Sequence, residues 1–140
     1  MNSVPDLVGW LRRKQERIDS GVTEAMQDWA DGGMSLMKIH IATRGTGWVG
    51  RGARAYPGGR VDTGQMIDDV NATMVKDDGT TKSVSFGWTD NSDGYYLAQE
   101  YGFTHYLSGK RIEGMNAMAD AKDEQDAKFR SAVRDIIRDA

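Results

Sequence analysis

The sequence predicts an α+β fold, and three observations predict it. Apolar residues recur at helical spacing over the first third and again toward the end. Two short alternating runs flank "KDDGT" in the middle, and a glycine-bounded segment, "GYYLAQEYG", separates them from the last helix. At 140 residues the chain can hold one domain with a sizeable core and is too short for two ordinary ones, so a single domain over 1–140 is expected. The expected architecture is a long N-terminal helix or helix pair, a small antiparallel β-sheet with a hairpin, a short helix and a long C-terminal helix.

Ser3, Pro5 and Asp6 supply a cap, a first-turn proline and a first-turn acid, after which Leu7, Leu11 and Ile18 fall near one stripe. A first helix is expected over residues 1–21. Beyond Gly21, the residues Val22, Met26, Trp29, Ala30, Met37 and Ile41 continue a helical face, so the two stretches can be one helix. Gly32 and Gly33 each cost about 1 kcal/mol relative to alanine inside a helix, which predicts a kink there or a close approach by another backbone.

Residues 44–60, "RGTGWVGRGARAYPGGR", carry six glycines, four arginines and no acid, and show no period of 2 or 3.6. They read as a flexible Arg/Gly loop inside the domain, with Trp48 and Tyr56 as its aromatic anchors. It is not a phosphate cradle, because no strand leads in and the Gly-Lys-Ser/Thr ending of a P-loop is missing. In "VDTGQMIDDV", Asp62 or Thr63 can cap a short helical turn. Val70, Ala72 and Met74 then alternate, as do Val84, Phe86 and Trp88. Facing the two apolar sets on one side requires pairing Val70 with Trp88, Ala72 with Phe86 and Met74 with Val84, which an odd-numbered loop gives, with Gly79 at positive φ.

Tyr95 to Tyr101 reads as a short helix with Gly102 as a left-handed C-cap, Leu97 and Tyr101 facing the sheet, and Glu100 at its rim. A lone glutamate with no paired acid, base or metal ligand beside it reads as a structural acceptor or an interface charge. Ile112, Met115, Ala119, Phe129, Val133, Ile136 and Ile137 mark the last helical stripe, with the charged "KDEQDAK" solvated. The expected core is Trp29, Met37, Val70, Met74, Val84, Phe86, Trp88, Leu97, Phe129 and Val133.

Composition bounds function. With 18 Lys and Arg against 21 Asp and Glu, the net charge of −3 gives no global attraction to nucleic acid or an anionic membrane. Cysteine is absent, which removes disulfide and thiol chemistry. No stretch approaches the roughly 20 apolar residues of a membrane span, and the start lacks the charge order of an export signal; a soluble chain without a membrane partner is expected. His40 and His105 are isolated, Asp68 and Asp69 point to different faces, and no nucleophile elbow or metal spacing occurs. No catalytic, metal or cofactor site is expected, and the chain is not read as an enzyme.

On "DTGQMIDDV" at 62–70, the strands at 71–88 and "YYLAQEYG" at 95–102, the chain resembles the tail-completion or head-tail-joining family of long-tailed bacteriophages, also called minor tail or neck proteins. The resemblance covers roughly residues 20 to 138. It departs where the family often opens its last helix with Pro-Phe, this chain having "RIEGMNAM", and where Gln65 and Met66 replace the Leu after "tG". The resemblance implies a virion protein, assembled in the host cytoplasm, whose copies form a homo-oligomeric ring, expected to be a hexamer. The ring would join the capsid's portal, adaptor or stopper proteins to the tail tube or terminator proteins, with phage DNA passing through. Arg44, Trp48, Arg51, Arg54, Tyr56, Arg60 and Glu100 are the expected partner-interface residues. The alternative is a small DNA-binding protein that sets the loop arginines on phosphates and loses affinity steeply with salt.

Overall fold

The structure, a computed structural model, describes residues 3–44, 65–88, 95–104, 109 and 111–140. Helix α1 runs without a break from Val4 to Thr43, 40 residues or about 60 Å. Ser3 begins it as foreseen. Its backbone is extended, its Oγ accepts from the Asp6 N–H at 3.4 Å, and its hydroxyl donates to the Asp6 carboxylate at 2.8 Å. A short helix α2 (Gln65–Asp68) precedes strand β1 (Val70–Ala72), followed by β2 (Lys76–Asp77), β3 (Lys82–Ser83) and β4 (Phe86–Trp88). Helix α3 (Tyr95–Tyr101), strands β5 (Gly102–Thr104) and β6 (Arg111–Glu113), and helix α4 (Ala117–Asp139) complete the order.

Helices α1 and α4 pack antiparallel. Arg44 lies by Asp120, Trp29 by Asp126, Gly32 by Gln125 and Gly21 by Ile136. The two central glycines answer the question their helix penalty raises. A Cβ on Gly33 would sit 2.4 Å from the Phe86 ring, and one on Gly32 would sit 2.6 Å from the Gln125 amide. The close approach is by side chains, not by another backbone, and the helix is uninterrupted. The pairing of Gly21 with Ile136 leaves α4 only three residues further to run. Residues 4 to about 17 of α1 therefore extend past α4, by roughly 20 Å.

Strands β1 and β4 pair as expected, Val70 with Trp88 and Ala72 with Phe86. The route to that register differs from the odd loop. Lys76 pairs with Ser83 and Asp77 with Lys82, closing a four-residue loop, 78–81, with Gly79 at φ +88°. Residues 73–75 therefore oppose only 84 and 85, a β-bulge that shifts the register by one. The Gln27 amide of α1 completes the bulge, donating to the Thr73 carbonyl at 3.0 Å and accepting from the Val75 N–H at 3.0 Å. With its carbonyl so used, Thr73 receives the Ser85 N–H on its Oγ1 at 3.0 Å. Met74 sits in the bulge and is 75% exposed, not in the core.

The core consists of Met37, Ile41, Met66, Val70, Tyr96, Met115, Ala117 and Ala121, with Phe86, Trp88 and Met118 packed against it. Trp29 meets Phe86 edge to face at 4.9 Å between ring centroids, and Trp88 lies 5.2 Å from Tyr96. Helix α3 turns a different face inward from the one expected. Tyr96, Gln99 and Glu100 are buried, whereas Leu97 and Tyr101 are exposed. Val84, Phe129 and Val133 are half-buried. Ile112 belongs to β6 and Met115 to the connection before α4, so the last helical stripe starts later than its apolar spacing suggests; Ala119 is exposed. In "KDEQDAK", Gln125 is buried and Asp126 accepts from Trp29, so that stretch is solvated on one side only. Among the described residues no helix is long and apolar enough to cross a membrane.

Candidate functional site

The expected site residues that the structure describes, Arg44 and Glu100, meet at the N-terminus of α4. Asn116, its N-cap, has left-handed backbone (φ 48°, ψ 36°) and makes no side-chain cap bond. The first N–H groups of that helix therefore need other partners. Glu100 supplies one from α3. Both of its carboxylate oxygens lie 3.0 Å from the Met118 N–H, and its side chain is fully buried. The main chains join as well: Met115 N–H donates to Gln99 O at 2.9 Å and Asn116 N–H to Glu100 O at 3.1 Å. The open carbonyls ending α3 and the open N–H groups around the start of α4 thus satisfy one another.

Two glycines make this junction possible. Gly102 adopts φ +94°, as a C-cap glycine does, and a Cβ on it would meet the Gly114 nitrogen and the Ile112 oxygen at 2.8 Å. A Cβ on Gly114 would lie 2.4 Å from the Glu100 carbonyl oxygen. The β5–β6 pair can consequently turn back beneath α3 and deliver α4 to Glu100.

Arg44 closes the junction from the end of α1. Its Nη1 donates to the Met115 carbonyl at 2.8 Å, to the Asn116 carbonyl at 3.3 Å and to the Asp120 carboxylate. Asp120 lies in the first turn of α4, where an acid also favours the helix dipole. The pair is partly solvated, so its value is in fixing geometry more than in Coulomb energy. One turn back along α1, the His40 imidazole is held below its ordinary pKa, first by burial and then by the Arg44 charge.

A second polar cluster ties the hairpin to α1. Lys82 Nζ reaches Asp77 at 2.8 Å, Asp19 at 3.1 Å and Thr23 Oγ1 at 2.8 Å. Bonding to Asp77, then to Asp19, raises its pKa, while Asp77 is lowered by Lys82 and by the Gly79 N–H. Asp78 is lowered by accepting from the Thr81 and Thr80 N–H groups. Elsewhere Tyr96 donates to Asp69, Trp88 Nε1 to Met66 O at 3.0 Å, and Trp29 Nε1 to Asp126 at 2.8 Å. Among the described residues no group of three or more His, Asp or Glu gathers where it could hold a metal ion.

Of the two readings of Glu100, structural acceptor or interface charge, the first describes its place: it lies inside the folded chain, with both oxygens turned to α4. Arg44, which the DNA-binding alternative sets on phosphate, is engaged within the chain. Trp48, Arg51, Arg54, Tyr56, Arg60 and His105 lie outside the described residues, as do Asp62 and Thr63. Asp120 opens the acid-rich stretch 120–126, a candidate partner for the loop arginines on a neighbouring copy, and it meets Arg44 within the chain; Asn116 and Gln27 carry no such signal in the sequence. Starting α4 at Ala117 would have marked Asp120 as a first-turn acid; nothing in the spacing of Gln27 marks it as the partner of a bulge.

Compared with family models, with curated proteins and with solved structures, the chain gives no significant match.

Proposed function

We propose that this chain is a structural subunit of the head-tail connector, or neck, of a long-tailed bacteriophage. Its copies form a ring, six-fold by the resemblance, between the portal side of the capsid and the tail tube, and DNA passes through the ring. One observation carries this proposal. The described polar residues with the best claim to chemistry, Arg44 and Glu100, serve to hold the ends of α1, α3 and α4 together, while large apolar side chains such as Leu11, Leu97 and Tyr101 stand on the surface. That distribution suits a subunit whose remaining contacts are made with neighbours. The element order, a long first helix, a hairpin, a seven-residue helix and a long last helix, is also the order that the resemblance implies.

The test is assembly. Negative-stain images and sedimentation of the purified chain are expected to show closed rings, and a phage lacking it is expected to accumulate unjoined heads and tails. Normal joining without the protein overturns the proposal. Deleting residues 46–58 and measuring both neck incorporation and duplex DNA binding separates the two readings. Lost incorporation with no DNA affinity in either protein supports assembly, whereas binding that vanishes with the segment and weakens with salt supports the DNA-binding alternative.

A further inference from the structure

Helix α1 carries one apolar surface that the described residues leave exposed, and it helps to build another. Past the end of α4, Val4, Leu7, Val8 and Leu11 stand between 43 and 73% exposed. Steps of three, four and seven put them on one side of the helix. Further steps of seven lead from Leu11 through Ile18 to Ala25, which is buried near α4. The face that packs on α4 thus continues into an arm that no described residue of α4 flanks.

The other surface is an open groove of about 420 Å³ between α1 and α4, floored by Ala25, Trp29, Phe129 and Ile136. Trp29 and Phe129 keep part of their surface accessible. The groove follows α4 from Gln125 to Ile136, roughly 16 Å, and the stripe from Val4 to Leu11 occupies roughly 10 Å. An apolar helix face of that length fits within it. The arm and the groove cannot meet within one chain, because both lie on a single uninterrupted helix. Any contact between them is made in trans.

Charge selects the same pairing. Beside its apolar stripe the arm carries Arg12 on one side and Lys14 on the other, each roughly 70 to 90° around the helix from the centre of the stripe, whereas Asp6 and Arg13 lie on the opposite side. The α1 rim of the groove carries Glu24 and Asp28, both exposed, and the α4 rim carries Lys128. We infer that the N-terminal arm of α1 docks in the α1–α4 groove of a second copy of this chain, with one of its flanking cations, Arg12 or Lys14, beside Glu24 and Asp28. Such a contact joins unlike surfaces. It can run head to tail around a ring or be returned by two copies to each other. The inference rests on the self-assembly proposed above and gives it a contact surface.

Two double variants test it, each at exposed positions so that circular dichroism should match the parent. Leu7→Asp with Leu11→Asp removes the arm's apolar face; Glu24→Lys with Asp28→Lys reverses the groove rim. By sedimentation velocity the unaltered chain is expected to self-associate, and each variant alone to associate about tenfold or more weakly. An equimolar mixture is expected to recover association, because the intact arm of one variant meets the intact groove of the other. A rim variant that associates like the parent, or a mixture that stays dissociated, overturns the arm-to-groove contact while leaving ring formation standing. A parent chain that is monomeric throughout overturns both. A monomeric parent whose arm instead binds vesicles containing anionic lipid assigns the arm to a membrane surface and likewise refutes the inference.

Discussion

Replacing Glu100 by alanine removes a buried carboxylate whose two oxygens both face the Met118 N–H at 3.0 Å. The loss has three parts. A buried N–H left without an acceptor costs about 1 to 3 kcal/mol. Removing an acid from a helix N-terminus costs about 0.3 to 1 kcal/mol, and up to ~2 where the site is dry. The deleted methylene adds about 0.8 kcal/mol of lost burial. The side chain of Asn116 makes no cap bond that could take over. Together they predict a loss of roughly 2 to 6 kcal/mol, which at a urea dependence of about 2 kcal/mol per molar moves the midpoint down by about 1 to 3 M. Glu100→Gln keeps the volume and one carbonyl oxygen for Met118 but buries an amide N–H2, so about 1 to 2 kcal/mol is expected and the chain stays folded. Urea titration followed by tryptophan fluorescence and far-UV circular dichroism measures both. If Glu100→Ala shifts the midpoint by no more than a few tenths molar, water or another side chain caps α4 and the junction has been misjudged.

The adjacent glycines of α1 should respond unequally. Gly33→Ala forces a Cβ to within 2.4 Å of the Phe86 ring and is expected to cost about 1 to 3 kcal/mol, whereas Gly32→Ala meets the end of the Gln125 side chain and recovers about 1 kcal/mol of helix propensity. Denaturation midpoints that move equally would contradict the packing described. Gln27→Ala strands the Thr73 carbonyl and the Val75 N–H, and amide hydrogen exchange should quicken at residues 73–75 while the α4 core stays protected. On acidification, Asp77 and Asp78 have folded-state values below their ordinary 3.8; their stabilisation is present above that pH and is lost as pH falls through the lowered values. The lowered His40 gives the same sign in a higher window: its neutral form is favoured by folding, so stability falls as pH drops below 6.5. NMR titration of the turn amides and of the imidazole follows each; an Asp77 titrating at or above 3.8 would refute the Lys82 pairing.

What the sequence made legible follows from what periodicity encodes. Helix α1 has a cap, a first-turn proline and a long stripe, all local signals, and the structure begins it at Val4 after Ser3 as those signals require. Helix α3 ends at a glycine that does adopt positive φ. Its buried face does not follow apolarity. Tyr96, Gln99 and Glu100 go inward because they have specific polar partners in reach, Asp69 and the start of α4 among them, and such partners lie far away in sequence. The hairpin register illustrates the same limit. Matching the apolar faces of β1 and β4 gave the correct pairs, but the bulge that reconciles them with a four-residue loop depends on Gln27, 46 residues before Thr73.

The three ends joined at Arg44 and Glu100 explain why a chain whose described strands form only short, two-stranded ladders holds a defined arrangement. Each described ladder has at most three residue pairs per strand, too few to be independently stable in water. Their positions are instead imposed by the helices. Gln27 and Lys82 fasten the hairpin to α1, the Phe86 ring seats on Gly33, and Gly102 and Gly114 let β5 and β6 turn between α3 and α4. The rigid element is therefore the α1–α4 pair, with the sheet fragments as braces. A chain built this way presents its long helices, not an extended strand edge, as the larger continuous surface for contact with other molecules. That is why the exposed side chains from Val4 to Leu11, and the groove the same two helices form, are where the search for its neighbours should begin.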